Sequence, residues 1–150
     1  MNIQYAAGFL DGEGCIGFSI NKNSVFPRVL IVNTNRNVLE MFQKRWGGDI
    51  KSSRVKGKPI WKERFTWRLS WSKCVSFLSQ VEPFLVIKNK QAHTVFAWDA
   101  IRPGKGRSYE KESVDFLISR MRWINKKGVF HSKDPVEIAL SKAGKSKKKK

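Results

Sequence analysis

The hydrophobic pattern of this chain switches repeatedly between a helical and a two-residue period, and each switch marks an element. Residues 3 to 12 read as a helix that ends in the Gly12/Gly14 pair. From Cys15 to Asn23 the residues alternate, with Ile16, Phe18 and Ile20 on one side and Gly17, Ser19, Asn21 and Asn23 on the other. After a turn near Asn23-Ser24, Pro27 opens a second strand run, Arg28 to Val32, and Asn33-Thr34-Asn35 supplies a cap for the next helix. Val38, Leu39, Met41, Phe42 and Trp46 recur at helical spacing until Gly47-Gly48 stops them.

A second hairpin is predicted at about Asp49 to Val55 and Ile60 to Trp71, joined by the Lys56-Gly57-Lys58-Pro59 turn. Its second strand places Trp61, Glu63, Phe65, Trp67, Leu69 and Trp71 on an inner face, and Lys62, Arg64, Thr66, Arg68 and Ser70 on an outer one. Helical spacing returns from Ser72 to Pro83, from Lys88 to Ile101, and from Glu112 to Asn125. The predicted fold class is α+β: helix, hairpin, helix, hairpin, helix, with one four-stranded antiparallel sheet and further C-terminal helices. Residues 1–140 form one expected domain, and the Lys-rich segment 141–150 an expected disordered tail.

Charge changes the picture more than size does. The net charge is +18; six lysines from Lys142 onward account for a third of it, leaving +12 on the body. A polyanion is the natural partner. The two cysteines, Cys15 and Cys74, and the two histidines, His93 and His131, make neither a disulfide framework nor a four-ligand zinc site. Both cysteines are expected to be buried, in an intracellular, reducing setting. The first helix is too short and too polar at its end to span a membrane, and it lacks a signal peptide's pattern, so no membrane is expected.

The outer sheet face is read as cationic and hydrogen-bonding, with nothing to bury. Arg28, Arg54, Lys56, Lys58, Lys62, Arg64 and Arg68 supply charge, while Ser19, Asn21, Asn23, Ser52, Thr66 and Ser70 suit base edges or phosphates. A two-stranded ribbon fits the major groove of a duplex. RNA modules instead stack bases on exposed aromatics, and the strand aromatics here are expected to face inward.

Glu13 stands where the first helix hands over to the sheet. A carboxylate beside a phosphate repels it unless a cation lies between, and magnesium suits carboxylate, carbonyl and phosphate oxygens. One carboxylate makes a poor site. Gly8 and Gly12, with Ala7, leave a stripe free of bulk; either it packs inside the protein, or it meets the same helix of a second copy and brings two Glu13 together.

The run Ala6-Ala7-Gly8-Phe9-Leu10-Asp11-Gly12-Glu13-Gly14 resembles the signature of the LAGLIDADG homing endonucleases, with Ala6 for the first leucine and Glu13 for the more common aspartate. The signature occurs once, and single-motif members of that family act as homodimers. The resemblance covers about residues 5 to 101 and looks like an intron-encoded enzyme. It implies hydrolysis of both strands of a long, nearly palindromic double-stranded DNA site. Glu13 matches the metal-binding acid and the Gly12 carbonyl the backbone ligand, with Asp11 structural. Mg2+ is the implied ion, with Mn2+ or Ca2+ as substitutes and no turnover expected with Ca2+. Lys88, in Pro83 to Gln91, matches a lysine brought to the catalytic centre, Asn33 a residue that positions water, and Arg36 or Asn37 falls near a further basic position. Ala7, Gly8 and Gly12 form the implied dimer interface.

Rival functions are an intron maturase, with intron RNA as partner, a non-catalytic regulator of the same fold, and a basic ribosome-associated protein. An organellar and a prokaryotic or archaeal cytoplasmic location fit the sequence equally.

Overall fold

The computed structural model describes residues 1–21, 24–54, 62–103, 109–126 and 136. Helix α1 (Ile3–Glu13) is capped by Asn2, whose side-chain oxygen accepts the Gln4 N–H at 2.7 Å. At its other end Gly14 donates its N–H to the Leu10 carbonyl and turns the chain directly into strand β1 (Gly14–Asn21). A Cβ on Gly14 would overlap the side chain and carbonyl of Leu10, so only glycine lets the strand leave this close to the helix.

Strand β2 (Ser24–Asn33), helix α2 (Arg36–Trp46), strands β3 (Asp49–Ser53) and β4 (Arg64–Ser70) and helix α3 (Trp71–Val81) follow, then a 3-10 turn at Glu82–Phe84, helix α4 (Asn89–Ala100) and helix α5 (Lys111–Ile124). The strands form one antiparallel sheet in the order β1-β2-β4-β3. The predicted order of helices and hairpins is thus present. The second hairpin is shorter than expected, because β3 stops at Ser53 and β4 begins at Arg64. Asn23, Lys56, Lys58, Trp61, His131 and the predicted tail 141–150 lie outside the described residues.

The inner sheet face carries Ile16, Val29, Ile31, Trp67 and Leu69, all buried against the helices. Trp67 is the centre of this core: its ring lies 5.0 Å from Phe42 and 5.4 Å from Phe77, and its indole N–H donates to the Gly47 carbonyl at 2.8 Å. Gly47 and Gly48 both have positive φ, and a Cβ on Gly48 would overlap the Arg68 carbonyl, so this pair ends α2 at the sheet.

Trp71, expected on the inner face of the strand, falls outside it, with its ring edge to face with the buried Trp98 at 6.3 Å. The strand ends at Ser70, Trp71 takes a left-handed conformation at φ 57° as the chain enters α3, and its ring stacks on Phe26 at 4.5 Å with 46% of the residue exposed. Helix α5 lies along the free edge of β1: Asn125 Nδ2 donates to the Ile16 carbonyl at 3.0 Å, while its Oδ1 accepts Gln91 Nε2 at 3.4 Å. An open strand edge is thereby partly covered. Among the described residues no helix is long and apolar enough to cross a membrane.

Candidate active site and nucleic-acid interface

Asp11, buried near the end of α1, accepts three successive backbone N–H groups with its carboxylate: Val86 at 2.7 Å, Ile87 at 3.2 Å and Lys88 at 3.0 Å. Lys88 also donates its ammonium to the Asp11 carbonyl. The carboxylate therefore fixes the start of α4 against the end of α1, which is the structural role expected of Asp11. Its effect is to hold Lys88 against Asp11, two residues before Glu13 in α1.

Gly12 and Glu13 are exposed at this end of α1. The helix's carbonyl end is its negative pole, and the Leu10 and Asp11 carbonyls already have donors in Gly14 and Lys88. A free carboxylate at a carbonyl pole is an all-oxygen environment, which fits a hard divalent cation. Among the described residues no group of three or more His, Cys, Asp or Glu is placed to hold a metal, so one chain offers only part of a site.

Asn33 ends β2, two residues beyond Ile31, the partner of Gly14, and so lies at the α1 end of the sheet. Its Oδ1 accepts the Asn35 N–H at 2.8 Å, closing the turn into α2, which leaves its amide N–H groups to meet anything else. Arg36 is engaged elsewhere: it pairs with Glu40 at 2.8 Å and lies over the Phe65 ring.

Gly8 and Gly12 lie on the open side of α1. An added Cβ at either would meet no atom within 4 Å, so internal packing does not explain the stripe. Ala7 is a correction: it is fully buried with Ala6 and Leu10 in the core, one helical step off the glycine face. Apolar side chains stand open on the same elements, Tyr5 at 51% exposure on α1, and Val86 and Ile87 at 83% and 68% in the segment that Asp11 clamps.

On the outer sheet face, Ser19, Asn21, Arg28, Arg64, Thr66, Arg68 and Ser70 share the phase predicted for them. Ser52 does not. It pairs with Phe65 and shares the phase of Ile50, while Lys51 and Ser53, opposite Thr66 and Arg64, face outward. Ile50 as an inward residue was the available signal for Lys51. Arg54 follows the end of β3 and approaches Glu63 at 3.8 Å, and Lys62 is exposed ahead of β4.

Two further corrections concern this face. It is not wholly polar, because β2 also turns Phe26, Leu30 and Val32 outward. Nor is it wholly bare: Arg28 is half-buried and lines a cavity of about 270 Å³ with Cys15, Gly17, Ile118, Arg122 and Asn125, where α5 reaches past the β1 edge. The thiols also differ. Cys74 is buried, and burial pushes its thiol up to about 12, whereas Cys15 is exposed, contrary to expectation. His93 makes an exposed contact with Glu82 at 2.6 Å, remote in kind from a metal site.

No family profile matches the chain. It is 30% identical over 125 residues to the DNA endonuclease I-CreI of Chlamydomonas reinhardtii, an alignment that spans 81% of this chain and 73% of that protein. The solved structure of the homing endonuclease I-CvuI in complex with its target, in the presence of 2 mM Ca, superposes with a TM-score of 0.65 at 19% identity over 95% of this chain and 94% of its own. The LAGLIDADG homing endonuclease I-GzeII, solved in complex with a DNA target, gives 0.61 at 18% identity over 94% of this chain but only 48% of its own length. A signature helix that ends in an exposed acid, continued by a four-stranded sheet and shared in sequence with I-CreI over most of the chain, places this protein in the LAGLIDADG homing endonuclease family.

Proposed function

We propose that two copies of this DNA endonuclease join through α1 and cut both strands of a long, nearly palindromic duplex, with one metal-dependent active site per strand built around Glu13. The observation that carries this is the open glycine face: a Cβ at Gly8 or Gly12 would meet no described atom within 4 Å, and Gly12, four residues after Gly8, directly precedes the exposed Glu13. The full-length match to I-CvuI and the half-length match to I-GzeII fit a unit that works in pairs. Packing helix on helix at the glycines brings two Glu13 side chains to a two-fold axis and buries Tyr5, Val86 and Ile87 alongside.

Each chain supplies the Glu13 carboxylate and the Gly12 carbonyl as oxygen donors. A divalent ion bound there, Mg2+ in turnover with Mn2+ or Ca2+ as occupants of the same donors, supplies charge stabilisation and a more acidic water. Lys88, held by Asp11, offers its ammonium to the negative charge that develops on the phosphate. Asn33 orients water through its amide N–H groups. The outer faces of the two sheets lie in successive major grooves, where Arg28, Arg64, Arg68 and Lys51 meet bases and phosphates.

The test uses a duplex spanning the junction of the exons that flank the gene's intron. Glu13→Gln retains binding to that duplex and loses cleavage; a mutant that cuts as well as the parent removes Glu13 from the mechanism. One observation favours a second partner: the stacked, half-exposed pair Phe26 and Trp71 is the kind of surface on which unpaired RNA bases stack. A splicing assay with the intron RNA tests it, and unchanged splicing in the protein's presence rejects it.

A further inference from the structure

Strand β2 runs through the middle of the outer sheet face, and at its end nearest the candidate active site it is apolar. Leu30 lies between Cys15 on β1 and Arg68 on β4, and Val32 lies beside Thr66 on β4. Cys15 and Val32 are exposed, and Leu30 is half-exposed. The patch therefore consists of two aliphatic side chains with a thiol and a threonine beside them. Cations surround it: Arg28 two residues along the same strand, and Arg64, Arg68 and Lys51 across β4 and β3.

Water is a poor neighbour for the open part of such a patch, Val32 and the uncovered side of Leu30. A ring of arginine and lysine suits the phosphates of a duplex laid on this face. Within a major groove the one apolar group on a base edge is the 5-methyl of thymine. Resting on the proposed binding of duplex DNA by this face, we infer that Leu30 and Val32 read thymine methyl groups in the part of each half-site closest to the cleaved bonds. Residues two apart on a strand are about 6.6 Å apart, and base pairs rise about 3.4 Å, so the two thymines lie about two base-pair steps apart. Arg28 and Arg68, on either side, suit guanine. The half-site core thus combines methyl-bearing pyrimidines with flanking purines, and methyl contact rather than hydrogen bonding carries its central information.

The test is selection from a randomised duplex library with the full-length wild-type protein in Ca2+, followed by resynthesis of the selected duplex. Thymine enrichment at two positions per half-site, about two steps apart, is expected. Replacing each thymine by deoxyuridine removes only the methyl and weakens binding about fourfold per site. The double variant Leu30→Ser, Val32→Ser, which carries no methyl group at either position, loses the thymine preference, keeps guanine preference elsewhere, and binds the deoxyuridine and thymine duplexes equally. Indifference of the wild type to deoxyuridine at every position overturns the inference while leaving the endonuclease reading intact. Failure to enrich any sequence instead strikes the duplex-binding reading itself. A change in oligomeric state caused by the double variant, with thymine preference retained, shows the patch to be a protein seam and also overturns it.

Discussion

Asp11 and Lys88 are tied together twice, by the Lys88 N–H on the Asp11 carboxylate at 3.0 Å and by the Lys88 ammonium on the Asp11 carbonyl. The two acids that close α1 thus do different work. Asp11 is spent on backbone N–H groups, while Glu13 makes no such bond and is open to solvent. Asp11→Asn exchanges an ionised acceptor of three bonds for a neutral group that carries donors of its own. We expect a loss of about 2–4 kcal/mol, seen as a fall in Tm of several degrees, together with weaker cleavage as Lys88 drifts. Glu13→Gln leaves Tm within about a degree. Thermal unfolding of both variants checks this, and equal Tm values count against the division of roles.

The glycine face gives a second prediction. Because a Cβ at Gly8 or Gly12 meets no described atom within 4 Å, Gly8→Leu enters open space and should keep the isolated fold, with a gain of about 0.5–1 kcal/mol of helix preference. The same side chain holds two α1 helices apart. Sedimentation should therefore show a folded monomer, and cleavage should disappear together with the dimer. A Gly8→Leu protein that remains dimeric and active places the seam elsewhere.

How much of this was legible beforehand follows from how far each signal reaches along the chain. The position of Glu13 at the end of α1 was legible because a helix pattern, a glycine pair and an alternating strand all meet within a few residues. Ala7 was misplaced because small residues do not announce their face, and only the packing of Leu10 and Ala6 shows which side is inner. Ser52 was misplaced because β3 is short and carries a single inward apolar residue, Ile50. The Asp11 clamp left no local trace, since its partners lie 75 to 77 residues away. Trp71 kept the alternation of β4 in sequence but lost it in space, because the turn into α3 falls on that residue. The outward Leu30 and Val32 sat in a run read as wholly β-forming, and only pairing with Arg68 and Thr66 assigns their side.

The two thiols should separate chemically. Cys15 is exposed and should react with a maleimide in the native protein, whereas Cys74 should react only after unfolding. Burial raises the Cys74 thiol from 9.0 to about 12, so between those values the folded chain keeps a proton that the unfolded chain releases. Stability from this group is complete below pH 9 and is lost as pH rises toward 12, by about 1.4 kcal/mol per unit at most. Denaturation of the parent and of Cys74→Ala over that range isolates the contribution. An identical pH slope in both shows that Cys74 adds none.

The corrected outer face sorts its cations into two kinds, and salt tells them apart. Lys51 faces outward on the edge strand β3, beside Thr66, as a flexible point charge suited to phosphate. Arg68 sits inside the sheet between Leu30 on β2 and Asp49 on β3, where a planar guanidinium can address a guanine edge. Lys51→Ala should weaken binding similarly on all duplexes and reduce the slope of log affinity against log salt by about 0.9. Arg68→Ala should cost about 1–3 kcal/mol on the selected duplex and less on others, because it removes discrimination as well as charge. Ser52→Ala, on the inner phase, should change neither quantity. Titrations of the three variants over a range of salt, on selected and scrambled duplexes, decide the matter: a sequence-dependent loss at Lys51, or a sequence-independent one at Arg68, reverses the assignment.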